Sequence, residues 1–145
     1  MVDVSAKDVT VRTATATGRV SVSSEVLGLL ESGGIPKGDA LAVARIAGIM
    51  AAKRTPDLIP LCHPIGISAV SVELTVGEQD VAITATIRTA DRTGVEMEAL
   101  TSVAVAGLTL IDMVKAVDPA AALRDVQVVD KSGGASGRWS RDGAD

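Results

Sequence analysis

There is no phenylalanine and no tyrosine in this chain of 145 residues, and only one tryptophan, Trp139. Platforms for base stacking are therefore scarce. Apolar burial falls instead to Ala, Val, Leu and Ile, within a hydrophobic content of 47%. Each of these buries little area, so a lone subunit has a modest core, and an oligomer that shares burial between subunits is expected. Cysteine and histidine are equally sparse, at one each. One Cys makes no internal disulfide, and one Cys with one His is too few for a zinc site within a chain; neither metal nor cofactor is expected. A net charge of −4 and a sequence pI near 4.9 argue against nucleic acid as a partner. No basic-then-apolar leader opens the sequence, which points to the cytoplasm. The length fits one domain. What remains is a cytoplasmic, oligomeric protein that acts on a small molecule.

Residues 9–23 are rich in Val and Thr and partly alternating, which predicts a strand with a weak point at Gly18. Ser24 is placed to cap a short helix stopped by Gly33 and Gly34, and Asp39 to cap a second that runs to about residue 54. Pro56, Pro60 and Pro64 fall within nine residues and predict a stiff loop without regular structure. Residues 70–76 and 81–88 alternate apolar and polar side chains around a short connection at 77–80, the pattern of a hairpin with one buried face. A long helix over 96–117 stops before Asp118-Pro119, and a last strand lies near 125–129. The order β-α-α-β-β-α-β predicts an α+β ferredoxin-like sandwich, an antiparallel sheet with helices packed on one face. A single catalytic domain is expected over 1–137, followed by a polar tail at 138–145.

The strongest chemical anomaly lies in the long helix. From 99 to 117 there are nineteen residues and two charges, Asp112 and Lys115. Three apart, they share a helix face. A helix so apolar spans a membrane or is deeply buried, and the charges and hydroxyls argue against a bilayer. A buried helix, between subunits, with an acid beside an amine is therefore expected. The pair reads either as a structural ion pair near a helix C-terminus, where Lys115 suits the dipole, or as a proton-transfer couple in a cleft.

Other groups are less specific. Leu61, Cys62 and His63 form one strip. Sequence neighbours rarely give nucleophile–base geometry, so Cys62 reads as a buried thiol, while His63, held between prolines, is open to ligand contact or a structural role. Glu96, Met97 and Glu98 open the long helix. The two carboxylates point apart if the helix has begun and share a face if the segment is extended; helix-dipole chemistry alone also accounts for them. Cations are scattered: Lys37, Arg45, Lys53, Arg54, and Lys131 before a Gly/Ser-rich run. No GxxxxGK[ST] pattern is present, so there is no nucleotide P-loop. The run at 131–137 either presents backbone amides to a phosphate or is a mobile, solvated end.

In order along the chain stand MVDVSAK (1–7), KGD (37–39), ARIAG (44–48), AKRT (52–55), DLIPLCHP (57–64), TGVEMEALT (93–101), IDM (111–113) and KSGG (131–134). Together they closely resemble the molybdenum cofactor biosynthesis protein C family, the cyclic pyranopterin monophosphate synthases, over nearly the whole chain. The resemblance implies a ferredoxin-like homohexamer, a trimer of dimers, with active sites at the dimer interface. It implies conversion of (8S)-3′,8-cyclo-7,8-dihydroguanosine 5′-triphosphate, made by a radical SAM GTP cyclase, into cyclic pyranopterin monophosphate and diphosphate. By similarity Asp112 is the acid/base and Lys115 its catalytic neighbour, and Lys37 matches a catalytic lysine. Leu61, Cys62, His63, Met97 and Glu98 match the substrate-binding strip, Glu96 an acid lining the pocket, and Lys53 and Lys131 lysines near the phosphates or the reacting ring. Two departures stand out: Ala135 replaces a second lysine common in the family's glycine-rich turn, and Arg92 replaces a lysine. Ala135 keeps one alternative open, a non-catalytic oligomeric nucleotide- or pterin-binding paralogue.

Overall fold

The structure is a computed structural model and describes residues 1–141. Four long strands, β1 (Thr10–Ser21), β2 (Ile67–Val76), β3 (Asp80–Asp91) and β4 (Ala122–Ser132), pair antiparallel, and a two-residue β5 (Trp139–Ser140) extends the sheet. Their spatial order is β2-β3-β1-β4-β5. The chain connects them through α1 (Ser24–Ser32), α2 (Ala40–Ala52), α3 (Thr55–Leu58) and α4 (Glu96–Val114). Without β5 the sheet has the order of a ferredoxin-like sandwich, with the helices on one side, as the pattern predicts.

Alternation decides which face of the sheet carries the helices. Val81, Ile83, Ala85 and Ile87 of β3 are all fully buried, while the residues between them stay half-exposed. Above them lies α4, whose Ala99, Val103, Ala106, Leu110 and Val114 recur at helical spacing and are fully buried too. Without aromatics the layers must close up instead. A Cβ on Gly18 would lie 2.6 Å from Val103 Cγ1, so the weak point of β1 lets α4 lie tight against the sheet, and the β1–β4 register shifts there. On the flank of α4 that meets α2, a Cβ on Gly48 would lie 3.0 Å from the Ser102 carbonyl oxygen. By length and composition α4 could cross a membrane, but its apolar stripe is taken up by the sheet and α2. Leu110→Ala is expected to cost about 2–5 kcal/mol in denaturant unfolding, because the rigid sheet beneath it limits collapse.

The structure departs from the sequence pattern mainly at element ends. β4 runs eleven residues rather than five, because both its ends pair with β1, Ser21 with Ala122 at one and Thr13 with Ser132 at the other. α4 stops at Val114, and a turn closed by the Val117 and Asp118 amides on the Val114 carbonyl follows it. The proline-rich segment is not wholly loop. Pro56 sits in the first turn of α3, where its missing N–H breaks no helical bond, and the buried Thr55 hydroxyl donates to the Ala51 and Ala52 carbonyls. Within the stretch expected to be a polar tail, Trp139–Ser140 pair with β4; positions 142–145 lie outside the described residues.

Candidate active site

Asp112 lies on the last turn of α4, and its carboxylate gathers two amines. Lys115 Nζ donates to Oδ1 at 2.6 Å, across the three-residue spacing read from the sequence. Lys37, from the loop between α1 and α2, donates to Oδ2 and to the Asp112 carbonyl oxygen, both at 3.0 Å. Hydrogen bonds from Lys115 and then Lys37, followed by their charges, hold the Asp112 carboxyl below its ordinary range. α4 is buried as expected, whereas this pair lies at the surface of the single chain. The Asp112 and Lys115 side chains are 54% and 58% exposed, because the apolar stripe of α4 faces the sheet and this pair faces away. Periodicity shows which residues share a face but not whether anything covers that face.

A second cluster forms at the other end of α4. Lys131 Nζ donates to Glu96 Oε1 at 2.8 Å. Half-burial pushes the Glu96 carboxyl up, but the Lys131 hydrogen bond and the charges of Lys131 and Arg12 outweigh it, and the net shift is downward. Arg12, on β1, donates through Nε to the Asp91 carbonyl oxygen at 3.1 Å. The Gly/Ser-rich run is a folded turn here, not a free end: Gly133, Gly134 and Gly137 have positive φ, and the Gly137 amide bonds to the Gly134 carbonyl. Arg12, Glu96, Lys131, Gly133 and Ser136 surround a small cavity of about 90 Å³. Sequence reasoning passed over Arg12. Its only signal was a cation set in a Val/Thr strand, and nothing in the strand itself distinguishes it.

The remaining site residues divide between two further places. His63 Nε2 lies 2.7 Å from the Val2 carbonyl oxygen. A carbonyl only accepts, so Nε2 carries the proton in this contact. Arg92 holds the same N-terminal segment, its Nη1 donating to both the Ser5 and the Lys7 carbonyls. Leu61 and Met97 are exposed. Burial and then the Glu98 charge push the Cys62 thiol up, the reverse of what a nucleophile needs. Lys53 lines a separate cavity of about 380 Å³ with Ile49, Ile65 and Ile67.

With the helix beginning at Glu96, the two carboxylates do point apart, and Glu98 is left only 3% exposed. Burial, then the Glu96 charge, raises its pKa above the ordinary 4.5. The folded state therefore holds this proton more tightly than the unfolded state, and stability falls as pH rises from 4.5 through the raised value. Glu98→Gln is expected to raise the melting temperature at neutral pH, with the gain vanishing below pH 4.5; thermal scans across that range check it.

A family model described as the MoaC family matches residues 1–134. The chain belongs to the MoaC family. A cyclic pyranopterin monophosphate synthase from a Nocardioides species is 68% identical over 144 residues, covering 97% of this chain and 88% of that protein. One from Streptomyces avermitilis is 67% identical, covering 97% and 83%. A Mycobacterium tuberculosis protein named cyclic pyranopterin monophosphate synthase 2 is 60% identical, covering 97% and 84%. The MoaC match spans both charged clusters, the 61–63 strip and Lys53, whereas β5 lies beyond it.

Proposed function

We propose that this chain is a cyclic pyranopterin monophosphate synthase of molybdenum cofactor biosynthesis, a lyase converting the cyclised dihydroguanosine triphosphate into cyclic pyranopterin monophosphate and diphosphate. It works in the cytoplasm, after a radical SAM GTP cyclase, as a homohexamer built as a trimer of dimers. The observation that carries this reading is the separation of the two clusters. Asp112 stands sixteen positions after Glu96 on one helix, about 24 Å along its axis at 1.5 Å per residue. That exceeds the reach of one compact, cyclised nucleotide. Two chains related by a two-fold axis, with their α4 helices antiparallel, bring the Asp112 cluster of one beside the Glu96–Lys131 cluster of the other.

The charges suit such a substrate. Each cluster sets two cations against one carboxylate: Lys37 and Lys115 with Asp112, Arg12 and Lys131 with Glu96. Joined across an interface they make a cationic pocket in an acidic protein, which is what a triphosphate of about four negative charges requires. Lys131 and Lys53 neutralise phosphate, and diphosphate leaves more readily for it. With its pKa lowered, Asp112 is a carboxylate at neutral pH and so accepts protons; the adjoining Lys115 or Lys37 ammonium returns them as the ring opens and recloses. Leu61, Cys62, His63 and Met97 form the strip along which the substrate lies, and Glu98, buried in the single chain, backs it.

The test is to supply the cyclised dihydro-GTP and follow diphosphate and a pterin product. Asp112→Asn and Lys115→Ala are each expected to lower turnover about 10²–10⁴-fold. Unchanged turnover in both, or none in the wild type, refutes the reading and favours a binding paralogue. Ala135→Lys returns a cation to the glycine-rich turn and is expected to lower KM with kcat unchanged. An unmoved KM dismisses Ala135 as a functional departure.

A further inference from the structure

The chain's one aromatic residue sits on β5, beyond the MoaC match, and the fold carries it back to the second cluster. Trp139 pairs with Lys131 and Ser140 with Asp130, so the indole stands directly across from Lys131 on the same face of the sheet. This short strand is strongly fastened. Arg138 Nε and Ser140 Oγ both donate to Asp130 Oδ2, at 3.1 and 2.6 Å. Arg141 donates through its amide to the Val129 carbonyl at 2.8 Å and through Nε to the Val128 carbonyl at 2.9 Å. Core burial does not account for so many anchors, since Trp139 remains 42% exposed.

What the anchors do is hold the ring beside a space. Glu96, Val128, Lys131 and Trp139 line an open cavity of about 360 Å³, within the range of small-ligand sites. The Arg141 guanidinium lies 5.5 Å from the indole centroid and does not line this cavity. The cavity wall is thus left to the indole, Glu96, Val128 and Lys131. An aromatic wall, a valine, a carboxylate able to accept from ring N–H groups and an ammonium together match a planar nitrogen heterocycle bearing phosphate.

We propose that Trp139 is a stacking platform for the guanine-derived ring of the substrate, and that β5 makes the site prefer a nucleotide over bare polyphosphate. This rests on the reading of the site given above. The indole supplies the ring contact, while Lys131 and Arg12 take the anionic groups.

With no Tyr and no other Trp, indole fluorescence in the intact protein reports Trp139 alone. GTP is expected to quench it to saturation, and inorganic triphosphate to leave it nearly unchanged. Trp139→Ala is expected to raise KM for the cyclised dihydro-GTP about tenfold, with a much smaller change in kcat, and Trp139→Phe to recover most of the loss. An unmoved KM in Trp139→Ala, no quenching by GTP, or equal quenching by triphosphate overturns the stacking role while leaving the lyase in place. A wild type without turnover overturns the lyase reading, and the stacking role with it.

Discussion

Asp112→Asn and Lys131→Ala chains are each expected to be inactive alone, and to regain about a quarter of wild-type activity when unfolded and refolded together in equal amounts. The expectation follows from the two clusters lying at opposite ends of α4. If a site takes its Asp112 from one chain and its Lys131 from another, a mixed dimer holds one site with both defects and one with neither. Random pairing makes half the dimers mixed, and half of their sites are intact. A site built within a single chain gives the opposite result, because every chain in the mixture carries a defect. The variants are well placed for this. Asp112 is surface-exposed, so Asn removes the charge without opening a cavity. Lys131→Ala strands the half-buried Glu96 without its partner, which raises that carboxyl's pKa but leaves α4 packed. No recovery, with mixed oligomers shown to be present by differential tagging, rules out the shared site.

The fold was legible where side chains repeat. The alternation of Val81, Ile83, Ala85 and Ile87, and the three-residue step from Asp112 to Lys115, each follow from one local period, and the structure keeps both. Contacts between distant segments carry no such period. Lys37 reaches Asp112 across 75 positions, and Arg12 adds its charge to Glu96 from β1; neither shows in its own neighbourhood. The resemblance gathered Lys37, Lys53 and Lys131 into one site, yet a single chain holds them in three places. Glu96 and Glu98 stayed ambiguous until the helix start was known, because residues two apart share a face in extended chain and point apart in a helix. β5 was illegible for a simpler reason. Two residues have no pattern, and Trp139 reaches Lys131 only because the turn before it reverses the chain.

That turn is folded, and its glycines test whether its shape positions the cations of the site. Gly133→Ala is expected to lower kcat/KM about a hundredfold, since a displacement of about 1 Å in a positioned cation is enough for that. Gly133 has φ 97°, strained for any L side chain by about 1–3 kcal/mol. Its added Cβ would also strike the Val11 carbonyl oxygen and the Arg12 Cα. Those are backbone atoms of β1 held in register by β3, Val11 against Ala90 and Arg12 against Thr89, so they yield little and the turn must move, taking Lys131 with it. At Gly134, with φ 72°, the new Cβ meets the Arg12 guanidinium, a flexible end that swings aside, though the swing disturbs one cation of the site. Gly137 has φ 65° and open space around it, so alanine there adds only left-handed backbone strain of about 1–2 kcal/mol. The losses are therefore ordered Gly133, then Gly134, then Gly137, measured by kcat/KM beside melting temperature. A turn that takes no part in the site predicts lowered melting temperatures in the same order with kcat/KM unchanged.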